Sequence, residues 1–180
     1  MEIALTTAGT SVRVIEDCLN GRRTVWDDPF KPGRNGLVGL AQRIEIHSPL
    51  ALVILMLGTN DFQSVHPHVA AHAAQGTAAL VGAIRLAPIE PGMPVPPVLL
   101  VAPPPIQLPQ GPIAQKFAGA ADRSAGLAAA YAETARELHC HFFDAGTVAT
   151  TSRRDGIHLD ADQHARLGQA LAAHVAGLRL

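Results

Sequence analysis

Asp155 stands three residues before His158 in the string SRRDGIHLDADQHARLGQAL, residues 152–171. A carboxylate at that spacing can orient an imidazole and leave its other ring nitrogen free to take a proton, so the pair fits a general base and its orienting residue. Asn60, in Gly58-Thr59-Asn60-Asp61, is an uncharged amide donor able to help hold a developing oxyanion. The same four residues also fit an Asx-type turn ahead of a helix. Gly21, in Asn20-Gly21-Arg22, has no Cβ to keep a ligand from its backbone N–H. Taken alone, Asn-Gly reads as a turn.

Other chemistries fit less well. Asp155, Asp160 and Asp162 lie close to His158 and His164, but an EF-hand also needs a Gly at its sixth position and a distant Glu. No His-Glu-x-x-His pair occurs either. Asp162 reads instead as the N-cap of a helix, with His164 on its exposed side. No metal and no cofactor is expected. His66, His68, His72, His139 and His141 lack carboxylate or thiolate spacing and read as surface residues. Trp26 reads as a mixture of acyl-pocket lining and anchor for its long loop. Cys18 and Cys140 are too few for a disulfide framework or a four-thiolate zinc site, and both read as buried reduced thiols.

The elements that would position these residues alternate along the chain. Val12–Asp17 reads as a strand, and 19–36 as a loop rich in turn residues. Leu37, Leu40, Ala41 and Ile44 recur at helical spacing up to Ser48-Pro49. Ala51–Leu57 is apolar without alternation, as in a central parallel strand with both faces covered. A helix follows over 67–86, then a buried strand at Pro96–Pro105 with prolines at both ends. A long helix over 113–138, a short strand at Cys140–Ala145 and a last helix over 162–178 complete the pattern. This alternation predicts one α/β domain over 1–180, a doubly wound parallel sheet of flavodoxin-like type, with ligands at the carboxyl ends of its strands.

Composition narrows the function classes. Fourteen Lys and Arg against fifteen Asp and Glu leave a net charge of −1 in 180 residues. That balance offers no electrostatic attraction for nucleic acid or an anionic membrane surface. The apolar run at 51–57 is too short to cross a bilayer, and MEIALTTAGT lacks the features of a signal peptide, which makes the cytoplasm the expected location.

Three stretches, CLNGRRTVWDDPF, MLGTND and RDGIHLDADQHARLGQAL, occur in the order that resembles the SGNH hydrolases, also called the GDSL esterase and lipase family, and in particular their bacterial arylesterase and acyltransferase branch. The resemblance spans nearly the whole chain. It implies a doubly wound α/β sheet and a serine esterase that passes small acyl groups to water, an alcohol or a peroxide. By position it makes His158 the general base, Asp155 its orienting carboxylate, and Gly21 and Asn60 oxyanion donors. Asp61 belongs to the same motif and is placed near the acyl group. The branch is often oligomeric, which implies a homo-oligomer acting on a small acyl ester.

The Gly-Asp-Ser block that carries that family's nucleophile is absent. Ser11 lies directly against the strand at 12–17, whereas the family places a whole crossover between nucleophile and that strand, roughly 30 residues or more. Ser48, Ser64, Ser124 and Ser152 follow no comparable turn, and Cys18 reads as a buried strand thiol. MEIALTTAG then reads as the end of the first crossover helix and the turn after it, with the first strand and the nucleophile missing from the chain. An alternative follows: an inactive fragment of this fold that binds a ligand or assembles with a partner.

Overall fold

The structure, a computed structural model, describes residues 1–9 and 11–178. Its centre is a parallel sheet in the order β1 (Val53–Leu55), β2 (Val98–Ala102), β3 (His141–Asp144). Five successive buried residues make up β2, and their alternation divides the core. Val98, Leu100 and Ala102 face α3 (Ala70–Arg85) and α5 (Leu127–Glu137), beside α2 (Leu40–His47). Leu99 and Val101 face α6 (Ala161–Ala176) through Leu167, Leu171 and Val175. Side chains on a strand point alternately to opposite faces, so an unbroken apolar run demands cover on both. The doubly wound α/β arrangement is therefore present, with β1–α3–β2 and β2–α5–β3 as its two crossover units.

The N-terminal residues form a short helix, α1 (Glu2–Thr7), packed against α6 and followed by Gly9 in the left-handed region at φ 87°. MEIALTTAG thus forms a helix and the turn after it.

Four expectations need correction. Val12–Asp17 forms no strand; it is extended and largely exposed, held by Val14 N donating to Glu2 Oε2 at 2.7 Å and, at its end, by Asp17 pairing with Arg22 and Arg43 at 3.0 and 2.7 Å. An alternating sequence makes a strand only where a partner offers its backbone, and no described strand lies alongside it. Ala51–Leu57 is not central: β1 pairs only with β2 among the described residues, and β2 holds the middle place. The long helix at 113–138 is interrupted. Gly119 and Gly126 take φ of 70° and 82°, and they split it into α4 (Ala120–Arg123) and α5. An L-residue resists that backbone region, whereas glycine enters it freely and so ends a helical run whose apolar periodicity continues across it. Finally, Cys18 is exposed and Cys140 half-buried, because the strand meant to bury Cys18 does not form.

Candidate active site

The base pair forms within one short loop. His158 Nδ1 lies 2.7 Å from Asp155 Oδ2, while Asp155 Oδ1 accepts from the backbone N–H groups of Ile157 and His158 at 2.8 and 3.0 Å. Burial pushes the Asp155 carboxyl up, but the bond to His158 and the two backbone donors outweigh it and hold the group below the usual carboxylate range. An anionic partner at Nδ1 fixes that nitrogen as the proton-bearing one, and Nε2 is left as the acceptor. The His158 side chain is 59% exposed, so Nε2 is open to an incoming group.

Two backbone bonds set the loop against the segment that follows β2: Gln107 N donates to Gly156 O at 2.9 Å and Gln110 N to Asp155 O at 3.0 Å. Ile157 joins Phe62 and Ile106 in one buried cluster, which ties the base loop to the loop carrying Asn60. The expected N-cap at Asp162 is a correction: α6 starts one residue earlier, with Asp160 at the cap position, and Asp160 Oδ1 accepts instead from Ser152 Oγ at 2.9 Å. His164 is exposed, as expected.

Asn60 lies in a 3₁₀ turn, Thr59–Phe62, at the carboxyl end of β1. Its Nδ2 donates to Arg22 O at 3.2 Å, which brings the Gly-Thr-Asn-Asp loop against the Asn-Gly loop. A primary amide has two N–H donors, so a second remains for a ligand. Gly21 has φ 81°, and its own N–H donates to nothing among the described residues. Gly58 holds the turn tight: with φ 117°, a Cβ there would sit 2.5 Å from the Tyr131 hydroxyl. That hydroxyl donates to Leu57 O at 3.0 Å.

Asp61 sits elsewhere than its motif implies. It is wholly buried, accepting from Thr24 N at 2.9 Å and Thr24 Oγ1 at 2.6 Å. Its carboxylate shapes the site by clamping the two loops together, and it does not face the solvent. Trp26 stacks on His68 at 4.2 Å between ring centroids, and His68 stacks on His66 at 4.9 Å. His68 is thus no plain surface residue. Burial first, and then the electrostatic influence of His66 and His72 beside it, push it down to about 4, so the ring is neutral in this stack. The stack gives Trp26 its role as a loop anchor.

An apolar cavity of about 150 Å³ opens one residue from Asn60, lined by Thr59, Pro103, Pro104, Ile106, Ser124 and Leu127. Trp26 is not among its lining residues. Among the described residues no group of His, Cys, Asp or Glu is arranged to hold a metal ion. No helix in them is long and apolar enough to cross a membrane.

Residues 5–166 match the model of the GDSL-like lipase/acylhydrolase family. The chain belongs to that family. Among solved structures of similar proteins, the inhibitor-bound aryl esterase of M. smegmatis is 36% identical with a TM-score of 0.91, over 98% of this chain and 84% of that one. Est24, a carbohydrate acetylesterase from Sinorhizobium meliloti, is 36% identical with a TM-score of 0.90, over 99% and 85% of the two chains. A proposed arylesterase from Agrobacterium tumefaciens strain C58 is 40% identical with a TM-score of 0.87, over 99% and 86%. No functionally curated protein matches the chain. Ester hydrolysis is thus the chemistry of its family and of its structural relatives, and the α/β sheet is that of an SGNH hydrolase.

Reading the residues one by one missed Thr24, Gln63, Arg23 and Tyr131, all buried. Of these only Gln63 carried a local signal, since three residues after Asn60 it falls on the same side of a 3₁₀ turn.

Proposed function

We propose that this site cleaves small acyl esters by a serine acyl-enzyme route, with His158 as general base and Asp155 as its orienting carboxylate. The Gly21 N–H and the Asn60 amide act as oxyanion donors. The observation that carries the proposal is the 2.7 Å bond between His158 Nδ1 and Asp155 Oδ2 on a ring whose other nitrogen is open. In the reaction a serine Oγ bonds to the ester carbonyl carbon and its proton passes to Nε2. The tetrahedral oxyanion is held until the C–O bond to the leaving group breaks, and that oxygen takes the proton from Nε2. Water then repeats the cycle and releases the acid; an alcohol or a peroxide in its place gives acyl transfer. The small cavity beside Thr59 suits a short acyl group, in keeping with the esterase and acetylesterase named among the relatives.

The attacking serine is one that these 180 residues do not place at His158. Ser48, Ser64 and Ser124 donate to the carbonyls of Ile44, Gln115 and Ala121, and Ser152 donates to Asp160. Ser11 is exposed in the extended segment before Val12. We assign the nucleophile to a Gly-Asp-Ser turn upstream of Met1 in a longer protein; the M. smegmatis chain is itself longer than this one. The 180-residue chain should hydrolyse p-nitrophenyl acetate little or not at all. The chain extended by the upstream frame should do so, and His158→Ala should lower its kcat by roughly 10²- to 10⁴-fold. Turnover by the 180 residues that disappears with Ser11→Ala would overturn the assignment of the nucleophile. An extended chain unaffected by His158→Ala would overturn the base.

A further inference from the structure

Asn60 can serve an oxyanion only if its amide sits one way round, with nitrogen rather than oxygen toward the ligand side. A run of four hydrogen-bonding groups decides this. Arg23 is fully buried, and its Nη2 donates to Gln63 Oε1 at 2.6 Å while also pairing with Asp28 Oδ2 at 3.3 Å. Gln63, 2% exposed, donates from Nε2 to Asn60 Oδ1 at 3.0 Å. Asn60 Nδ2 in turn donates to Arg22 O at 3.2 Å.

Both ends of this run are chemically one-directional. A guanidinium can only donate and a backbone carbonyl can only accept. Gln63 must therefore show oxygen to Arg23, which leaves nitrogen for Asn60. Asn60 must then show oxygen to Gln63 and nitrogen to Arg22. Turning either amide over would set like against like at two contacts of a buried or half-buried run, where each unmet polar group is costly.

We infer that Gln63, polarised by Arg23, is a positioning residue that fixes the orientation of the Asn60 amide and so makes its second N–H available to an oxyanion. The inference rests on the reading of Asn60 as an oxyanion donor. A leucine would fill the space of Gln63, but only a donor–acceptor amide carries the polarity of Arg23 through to Asn60. The 3₁₀ turn from Thr59 to Phe62 supplies the geometry, since residues three apart there lie on one side.

Gln63→Glu tests it. The new carboxylate still pairs with Arg23 but can only accept, so it draws the Asn60 nitrogen toward itself and away from Arg22. Gln63→Leu is the second variant, removing both bonds. In ¹⁵N–¹H spectra of the 180-residue chain, the Asn60 side-chain protons should lose their contacts to Arg22 in Gln63→Glu. In Gln63→Leu the solvent exchange of the Arg22-bound proton should accelerate about tenfold or more. In the esterase-active longer chain, Gln63→Glu should lower kcat for p-nitrophenyl acetate by about 10²-fold with KM within about twofold, as expected when a transition-state donor is turned away. The inference is overturned if both variants keep the wild-type Asn60 contacts and exchange rate. If instead Asn60→Ala retains full turnover while the Gln63 variants reorient the amide, the oxyanion reading falls and the orientation by Gln63 stands.

Discussion

Asp61 shows what one buried group does to the pH response of this fold. Burial pushes its carboxyl up to about 6, against the opposing pull of its Thr24 bonds and the charges of Arg23 and His66. An unfolded aspartate titrates near ~3.9. The folded state therefore holds this proton more tightly than the unfolded one. Asp61 favours folding at acid pH, and that contribution is lost as pH rises from about 4 through about 6. Asp61→Asn keeps an acceptor for Thr24 N and a donor for Thr24 Oγ1 but has nothing to titrate. The variant should gain stability relative to the wild type between pH 4.5 and 7.5, by at most about 2–3 kcal/mol. Urea unfolding at the two pH values measures it; an equal difference at both would show that the clamp ionises without cost. Asp155 has the opposite sign. Its lowered carboxyl stabilises the loop above the unfolded value, and that contribution is lost as pH falls through the folded one.

At the scale of elements, the Asn60 turn depends on a contact between a strand end and a helix residue 74 positions further along the chain. Tyr131, on α5, donates to Leu57 O across the space that a side chain at Gly58 would fill. Gly58→Ala meets both a disfavoured φ and the Tyr131 hydroxyl, and should cost roughly 2 kcal/mol or more. Tyr131→Phe strands the Leu57 carbonyl and should cost about 1–3 kcal/mol. The two changes share one site, so the double variant should cost less than the sum, because removing the hydroxyl makes room for the new methyl. Strict additivity in denaturant unfolding would show that the two residues do not meet. The same scale explains what could be read in advance. The run at Pro96–Pro105 announced a buried strand because an apolar stretch without alternation has no face to give to water, whereas the run at Ala51–Leu57, read the same way, forms a strand that is only half-buried at the sheet edge. The Asp155–His158 pair was visible because both partners lie in one loop. Gln63 was not, because its partner Arg23 is forty residues away in sequence. The helix at 113–138 was overread because its periodicity outlasts the two glycines that break it.

For the whole molecule, the sheet has two edges, since β1 and β3 each pair only with β2 among the described residues, and this bears on assembly. β2 is enclosed on both faces and both edges, whereas β1 pairs only with β2 among the described residues. Beyond the sheet, the extended 12–17 segment exposes Val12 by 36% and Ile15 by 43%, with most of its backbone unpaired. An open strand edge and an extended segment with exposed apolar side chains are both templates for pairing with another chain. With a net charge of −1 there is little overall repulsion to prevent it. The 180-residue chain should therefore self-associate, with a sedimentation coefficient that rises with concentration from about 5 to 100 µM. Ile15→Lys, which replaces an exposed apolar side chain of the segment with a charge, should shift the distribution toward monomer, as edge lysines do in natural sheets. A monodisperse monomer across that range would show that the edge of β1 is closed to partners. An assembly indifferent to Ile15→Lys would place the contact away from the 12–17 segment. In the longer protein proposed above, a strand paired to β1 within the same molecule should abolish the concentration dependence, because an edge already satisfied has no donors and acceptors left to offer.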